Sequence, residues 1–134
     1  MGTKIGPSNA HLADADPTTI DVLLVNRFVH RDRQGEAFIE ADGSSMANTL
    51  IFDRNAVRFE RQAWVQAHEL GHVLLDEPLH PDNVGPDRPW LLMDSDARQG
   101  RVVGPKRLSA DECAKVRRRS GPGSYPTLLK PLAR

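Results

Sequence analysis

The chain has 134 residues and a mass of 14.9 kDa, which is enough for one domain with a single modest core. Eighteen basic and eighteen acidic residues give a formal net charge of zero, so bulk charge does not favour a nucleic-acid partner. A single cysteine, Cys113, excludes an intramolecular disulfide framework and a cysteine-based zinc cluster. No apolar run approaches the ~20 residues of a membrane span.

The chain is expected to divide into three parts. Residues 1–19 carry Gly, Pro, Asp and Thr with little apolar periodicity, which predicts an extended arm or the truncated edge of something larger. They contain no apolar core of the signal-peptide type, so no secretory signal is expected there and the compartment stays open. Residues 20–119 are predicted to form the domain, and residues 120–134 an extended tail.

Three strands are predicted in the first half of the domain. Ile20–Val29 is rich in β-branched and apolar residues and predicts a buried strand. Glu36–Glu40 is a short apolar segment with charged ends, which suits a strand at a sheet edge. Asn48–Phe52 predicts a third strand.

A helix is predicted from about Val57 to Leu75, because apolar residues recur there at intervals of three or four. Pro78 stops this helix and opens an irregular, proline-rich loop over residues 78–90. The apolar segment Trp90–Met93 then returns to the core.

A second helix is predicted over Ala110–Arg119. Ser109 and Glu112 have the spacing of a capping box at its start, and Gly121 follows its end. Strands followed by helices in this order predict an α+β fold in which a small sheet packs on helices.

The residues that carry chemistry are His68-Glu69-Leu70-Gly71-His72, an H-E-x-x-H motif inside the predicted helix. Residues four apart share a helix face, so His68 and His72 can bind one metal ion from the same side. Glu69 can then reach a water activated by that metal without being a ligand itself. Zinc suits this donor set, and the chemistry is peptide-bond hydrolysis with Glu69 as the catalytic base.

A catalytic zinc needs a third protein ligand, and His80 is the first candidate. It lies eight residues after His72, beyond the helix end that Pro78 sets, where a reversal of the chain would aim it at the metal. Asp76 is the main alternative, because it lies four residues beyond His72 and roughly on the same face. Glu77 and Asp82 are weaker candidates. The remaining histidines, His11 and His30, are interpreted as solvated loop residues.

From Ile20 to Arg119 the chain resembles the metzincin zinc peptidases, most closely the small bacterial and matrixin-like members. The resemblance rests on the strand pattern, on AHELGH, on a later histidine, on the methionine in WLLMD and on the final helix that opens LSADE. It implies a minimal metzincin-like fold, with a small twisted mixed sheet on the zinc-binding helix and a Met-turn at Met93 beneath the metal. It further implies one catalytic Zn²⁺ and a peptide or protein substrate lying beside the edge strand near residues 36–42.

The sequence departs from the metzincin pattern in two ways. The family continues H-E-x-x-H-x-x-G-x-x-H, whereas Leu75 and Pro78 hold the glycine and third-histidine positions here and His80 comes two residues later. The family sheet also has two more strands and a helix before residue 20. We therefore expect an exposed sheet edge that a partner chain or a second copy completes.

Two other functions compete with a metzincin-like endopeptidase. One is the cytosolic H-E-x-x-H peptidase type that cleaves repressors in prokaryotes, which takes a downstream glutamate as third ligand. The other is a zinc-stabilised binding module without turnover. Glu69 argues against the module, because a purely structural zinc site does not need that carboxylate.

Overall fold

The described residues form a three-stranded mixed sheet with helices packed against it. The computed structural model describes residues 19–30, 33–43, 45–58, 63–86, 88–95 and 105–119. The strands are β1 (Asp21–Val25), β2 (Gly35–Phe38) and β3 (Thr49–Asp53), and the α-helices are α1 (Arg54–Arg58), α2 (Ala63–Leu75) and α3 (Ala110–Arg119). Short 3-10 turns lie at Glu40–Asp42 and Pro81–Asn83. The predicted α+β class is confirmed at this level.

Strand β3 is the centre of the sheet, in the order β1-β3-β2. All of its residues are buried, which suits a segment of apolar and β-branched residues. It pairs in parallel with β1, where Leu23 faces Ile51, and antiparallel with β2, where Ala37 faces Leu50. The prediction that the second strand lies at an edge is confirmed.

The prediction of a buried first strand over Ile20–Val29 is wrong in length and in burial. β1 ends at Val25 and forms the other edge of the sheet. Val22 is 54% exposed and Leu24 is 65% exposed. The physical reason is that α2 packs chiefly on β2 and β3. Among the described residues, no helix covers Val22 and Leu24 of β1. Completion of this edge by a partner chain or a second copy stays a prediction.

The core lies mainly between the sheet and α2. The larger of two clusters of buried apolar side chains lies there, and β3 and α2 supply most of it. Its buried residues are Ile39, Leu50, Phe52, Ala56, Val65 and Val73. A smaller cluster of Phe28, Met46 and Ile51 lies on the opposite face of the sheet. The larger cluster fixes α2, and with it the H-E-x-x-H motif, against β2.

The helix predicted from Val57 to Leu75 ends where expected, and its described residues, 57–58 and 63–75, are helical, although helical structure begins earlier than predicted, at Arg54. A short helix, α1, starts directly after β3, because the Asp53 carboxylate caps it by accepting the backbone N–H groups of Asn55 and Ala56, each at 2.9 Å. Helix α2 is described from Ala63, and residues 59–62 lie outside the described part of the chain.

Helix α3 has the predicted bounds, Ala110–Arg119. Its capping box is formed: Ser109 N–H donates to Glu112 Oε2 at 2.7 Å, and Glu112 N–H donates to Ser109 Oγ at 3.2 Å. None of the helices in the described ranges has both the length and the apolar character needed to cross a bilayer. The predicted arm (apart from residue 19) and tail lie outside those ranges.

Candidate metal centre

Three histidine side chains converge at the open face of α2. His68 and His72 are one helical turn apart on α2, and His80 comes from the segment that follows the helix. His68 Nε2 lies 3.1 Å from His80 Nε2 and 3.2 Å from His72 Nε2. The potential ligand atoms of the three residues all lie within 4.8 Å of one another. The structure therefore brings together the two motif histidines and the predicted third one.

Backbone carbonyls orient the two motif histidines. His68 Nδ1 is 2.7 Å from the carbonyl oxygen of Leu92, and His72 Nδ1 is 2.7 Å from the carbonyl oxygen of Glu77. A carbonyl oxygen only accepts, so each Nδ1 carries the hydrogen, and in the neutral form each ring presents an Nε2 lone pair to the centre. Lone pairs that face one another at 3.2 Å repel, and a shared cation removes this repulsion.

The three histidines lie close enough to hold a metal ion, and two of their nitrogen–nitrogen separations are compatible with zinc. Zn–N bonds of about 2.0–2.1 Å in a tetrahedral site place two ligand nitrogens roughly 3.3 Å apart, close to the separations of 3.1 and 3.2 Å found here. The donor set is three imidazoles, with His68 and His72 buried. Hydrogen bonds from the second ring nitrogen to carbonyls are also typical of metal-bound histidines.

A reversal of the chain after α2 brings His80 to the cluster. Helix α2 ends at Leu75, and Asp76 takes a left-handed backbone conformation with φ of 52°. Glu77 N–H then donates to the carbonyl of His72 at 3.2 Å, as in a Schellman motif. His80 N–H donates to Asn83 Oδ1 at 2.9 Å, which fixes the start of the next turn. In the metzincin pattern the third histidine would stand at position 78. The reversal after α2 brings His80, two residues later, to the cluster.

Asp76, the alternative third ligand, does not point at the cluster. Its Oδ1 accepts the backbone N–H of Ala41 at 2.8 Å, and its Oδ2 lies 4.0 Å from Arg119 Nη2. Of the other histidines, His30 is exposed and His11 lies outside the described residues. Within the described ranges, His68, His72 and His80 are the group able to hold a metal ion.

Glu69 lies in the same cleft as the three histidines. The cleft has a volume of about 160 Å³, and its walls come from β2 and the turn after it, from α2 and from the following segment; its lining residues are Arg33, Gly35, Glu36, Ala37, Ile39, Asp42, His68, Glu69, His72, Pro78 and His80. Glu69 is 6% exposed and packs on Gly35, where a Cβ atom would lie 2.8 Å from Glu69 Cγ. A glycine in β2 therefore makes room for the carboxylate.

Met93 packs against Gly71 of the histidine-bearing helix α2. It is 1% exposed and occupies a turn directly after Leu92, whose carbonyl orients His68. The turn is held by Leu92 N–H, which donates to the carbonyl of Arg107 at 2.8 Å. Earlier in the same apolar segment, Trp90 is 49% exposed and Leu91 is buried, and the lining of the cleft includes neither.

Asp82 joins the segment after His80 to the turn of Met93. Its Oδ1 accepts the backbone N–H of Ser95 at 3.0 Å, and its Oδ2 accepts the Ser95 hydroxyl. Burial of the carboxylate raises its pKa, but the hydrogen bonds from Ser95 outweigh burial, so the pKa of Asp82 lies below its ordinary value. The charged form of Asp82 is therefore the form that ties the two segments together.

The sequence did not indicate several parts of the site. Arg33 and Asp42 line the cleft, although neither stands in a motif. The carbonyls of Leu92 and Glu77 orient the motif histidines, and no residue type marks a backbone group. Gly71 was identifiable in principle, since a glycine inside a helix indicates a close approach, and here that approach is to Met93.

No family model matches the chain, and no curated protein matches it significantly.

Proposed function

We propose that this protein is a zinc-dependent endopeptidase that hydrolyses peptide bonds with Glu69 as the catalytic base. The observation that carries the proposal is the convergence of the Nε2 atoms of His68, His72 and His80 beside the buried carboxylate of Glu69, in one open cleft. Ligands from both ends of the motif and a carboxylate between them are what metal-assisted hydrolysis requires.

Each residue of the cleft has a role in this proposal. His68, His72 and His80 hold Zn²⁺, while the carbonyls of Leu92 and Glu77 keep the first two rings in the ligating orientation. When bound, zinc supplies Lewis acidity that polarises the scissile carbonyl and acidifies the attacking water. Glu69 accepts the proton of that water and passes it to the amine of the leaving peptide.

The outer edge of β2, which is an edge strand of the sheet among the described residues, is the proposed substrate surface. The carbonyls of Gln34 and Phe38 accept hydrogen bonds from the β3 side of the sheet, at 2.9 and 2.8 Å. Backbone groups alternate in direction along an antiparallel strand, so those of Gly35 and Ala37 face outward along the cleft. An extended peptide adds there as a further strand, with its scissile bond over the histidines.

The site favours three histidine ligands over the glutamate-liganded peptidase type. The Glu77 carboxylate lies 3.4 Å from Lys115 Nζ, and Glu77 meets His72 through its carbonyl. Glu112 is engaged in the cap of α3. His80 lies in the cluster instead. A binding module without turnover is the weaker alternative, since it gives no reason for a buried acid beside the histidines.

Two measurements test the proposal. The first is the zinc content of the purified chain after gentle isolation and zinc add-back, for which we expect about one ion per chain. The second is mass-spectrometric mapping of cleavage in a broad peptide pool, with wild type compared with Glu69→Gln and with Asp111→Asn as an acid-to-amide control on the exposed face of α3.

Cuts made by wild type and by Asp111→Asn but not by Glu69→Gln support a peptidase. Zinc binding with no cuts by any variant supports the module. Absence of zinc contradicts both.

A further inference from the structure

Helix α3 contacts the end of α2 at the chain reversal whose Glu77 carbonyl orients His72. Arg119 Nη1 donates to the carbonyl of Leu74 at 3.1 Å, and Arg119 Nη2 lies 4.0 Å from Asp76 Oδ2. Four residues earlier, and so on the same face of α3, Lys115 lies 3.4 Å from the Glu77 carboxylate. The Arg119 side chain is only 14% exposed, so its contacts are shielded from water far better than the Lys115 pair.

Asp76 is an unusual residue for the place that it occupies. A left-handed helix end is ordinarily glycine, because a Cβ atom disfavours this conformation. Asp76 adopts it, with φ of 52°, and its carboxylate then reaches two other parts of the fold. One oxygen accepts the N–H of Ala41, in the turn after β2, and the other faces Arg119. The Asp76 carboxylate thus links the reversal to the turn after β2 and to α3, which a glycine has no side chain to do.

The residue next to Asp76 is the one that orients a ligand. The Glu77 carbonyl is 2.7 Å from His72 Nδ1, and this contact depends on how far the chain turns back at Asp76. A change in the reversal moves the Glu77 carbonyl and rotates the His72 ring. The same reversal starts the segment that delivers His80.

We propose that Asp76, held by Arg119, is a positioning residue that fixes His72 and the delivery of His80 in the ligating geometry. This inference rests on the proposed zinc site. It goes beyond that site because it makes zinc affinity depend on the contact between Asp76 and Arg119, the last residue of α3. Neither Asp76 nor Arg119 is among the lining residues of the cleft that holds the three histidines.

Zinc affinity of the folded protein tests the inference, measured by competition with a chromophoric chelator. Asp76→Gly is the informative variant, because glycine keeps the left-handed backbone and removes only the carboxylate. Arg119→Gln removes the charge from the other partner, Arg119→Lys retains it, and Arg118→Gln is the matched control on an exposed neighbour. We expect the zinc Kd to rise about tenfold or more for Asp76→Gly and Arg119→Gln, less for Arg119→Lys, and not at all for Arg118→Gln.

Urea unfolding of the metal-free variants separates positioning from stability. If Asp76→Gly binds zinc as wild type does, the inference is overturned while the zinc site stands, whatever its unfolding midpoint. If Arg119→Gln unfolds before it can be titrated, Asp76→Gly alone decides. If wild type itself binds no zinc, the proposed function and this inference fall together.

Discussion

Gly71 and Met93 pack so closely that a Cβ atom on Gly71 would collide with the Met93 sulfur. Gly71 precedes His72 on α2, and Met93 follows Leu92, whose carbonyl orients His68. The contact therefore fixes the distance between α2, which carries His68 and His72, and the turn whose Leu92 carbonyl orients His68. The glycine of the motif is a packing requirement in this protein.

We expect Gly71→Ala to lower the free energy of unfolding. Alanine gains up to about 1 kcal/mol of helix propensity, but overpacking costs about 1–3 kcal/mol. Because Met93 is 1% exposed and has little room to move aside, we expect a cost in the upper part of that range, about 2–3 kcal/mol, and a net loss of at least about 1 kcal/mol. Urea denaturation measures it. Gly85→Ala is the control, because its Cβ would meet only the Pro81 carbonyl oxygen, at 3.4 Å. Equal midpoints for Gly71→Ala and wild type would contradict the packing argument.

The features that could be predicted from the sequence are those set by local interactions. Helix α3 has its predicted bounds because Ser109 and Glu112 cap it within four residues of chain. The alignment of His68 and His72 follows from helix geometry alone. Pro78 predicts that the helix ends before His80. It does not predict the direction of the reversal at Asp76 that brings His80 to His68 and His72.

The features that could not be predicted depend on distant contacts. β1 has the composition of a buried strand, yet its exposure is decided by where α2 lies. The spacing of Asp76 after His72 makes it a candidate ligand, whereas its partners in the structure, Ala41 and Arg119, are far away in sequence.

Ser95→Ala is expected to destabilise the protein at neutral pH and to matter less in acid. The hydrogen bonds from Ser95 hold the pKa of Asp82 below its ordinary value in the folded state. The folded state therefore binds fewer protons than the unfolded state, and the stabilisation is present above about pH 4 and is lost as pH falls through the folded pKa.

We expect a loss of about 1 kcal/mol at pH 6 that shrinks below about pH 4, measured by urea unfolding at each pH. Ser95→Thr, which keeps the hydroxyl, is the control. A loss that is the same at both pH values would show that the Asp82 contact is not its cause.

His80→Ala is expected to weaken zinc binding more than Asp76→Ala does. Removing His80 deletes a ligand, whereas removing Asp76 disturbs only the reversal that positions His72 and His80. We expect an increase in Kd beyond the roughly 10–100-fold typical of lost outer-shell partners for His80→Ala, and an increase within that range for Asp76→Ala. Chelator competition gives both values. The reverse order would transfer the ligand role to Asp76.

Gly35→Ala is expected to separate catalysis from metal binding. A Cβ on Gly35 would lie 2.8 Å from Glu69 Cγ, 2.9 Å from Val65 Cγ1 and 3.0 Å from Glu69 Oε1, so the Glu69 carboxylate must move. None of these atoms belongs to a histidine, and the ligand nitrogens are oriented by carbonyls elsewhere. We therefore expect zinc stoichiometry to be retained while kcat/KM on a cleaved peptide falls roughly 10²-fold, the scale of a misplaced catalytic group. Gly85→Ala again serves as the control for a glycine replacement. A Gly35→Ala protein that keeps full activity would show that Glu69 is not the base, and one that loses zinc would show that β2 supports the ligands as well.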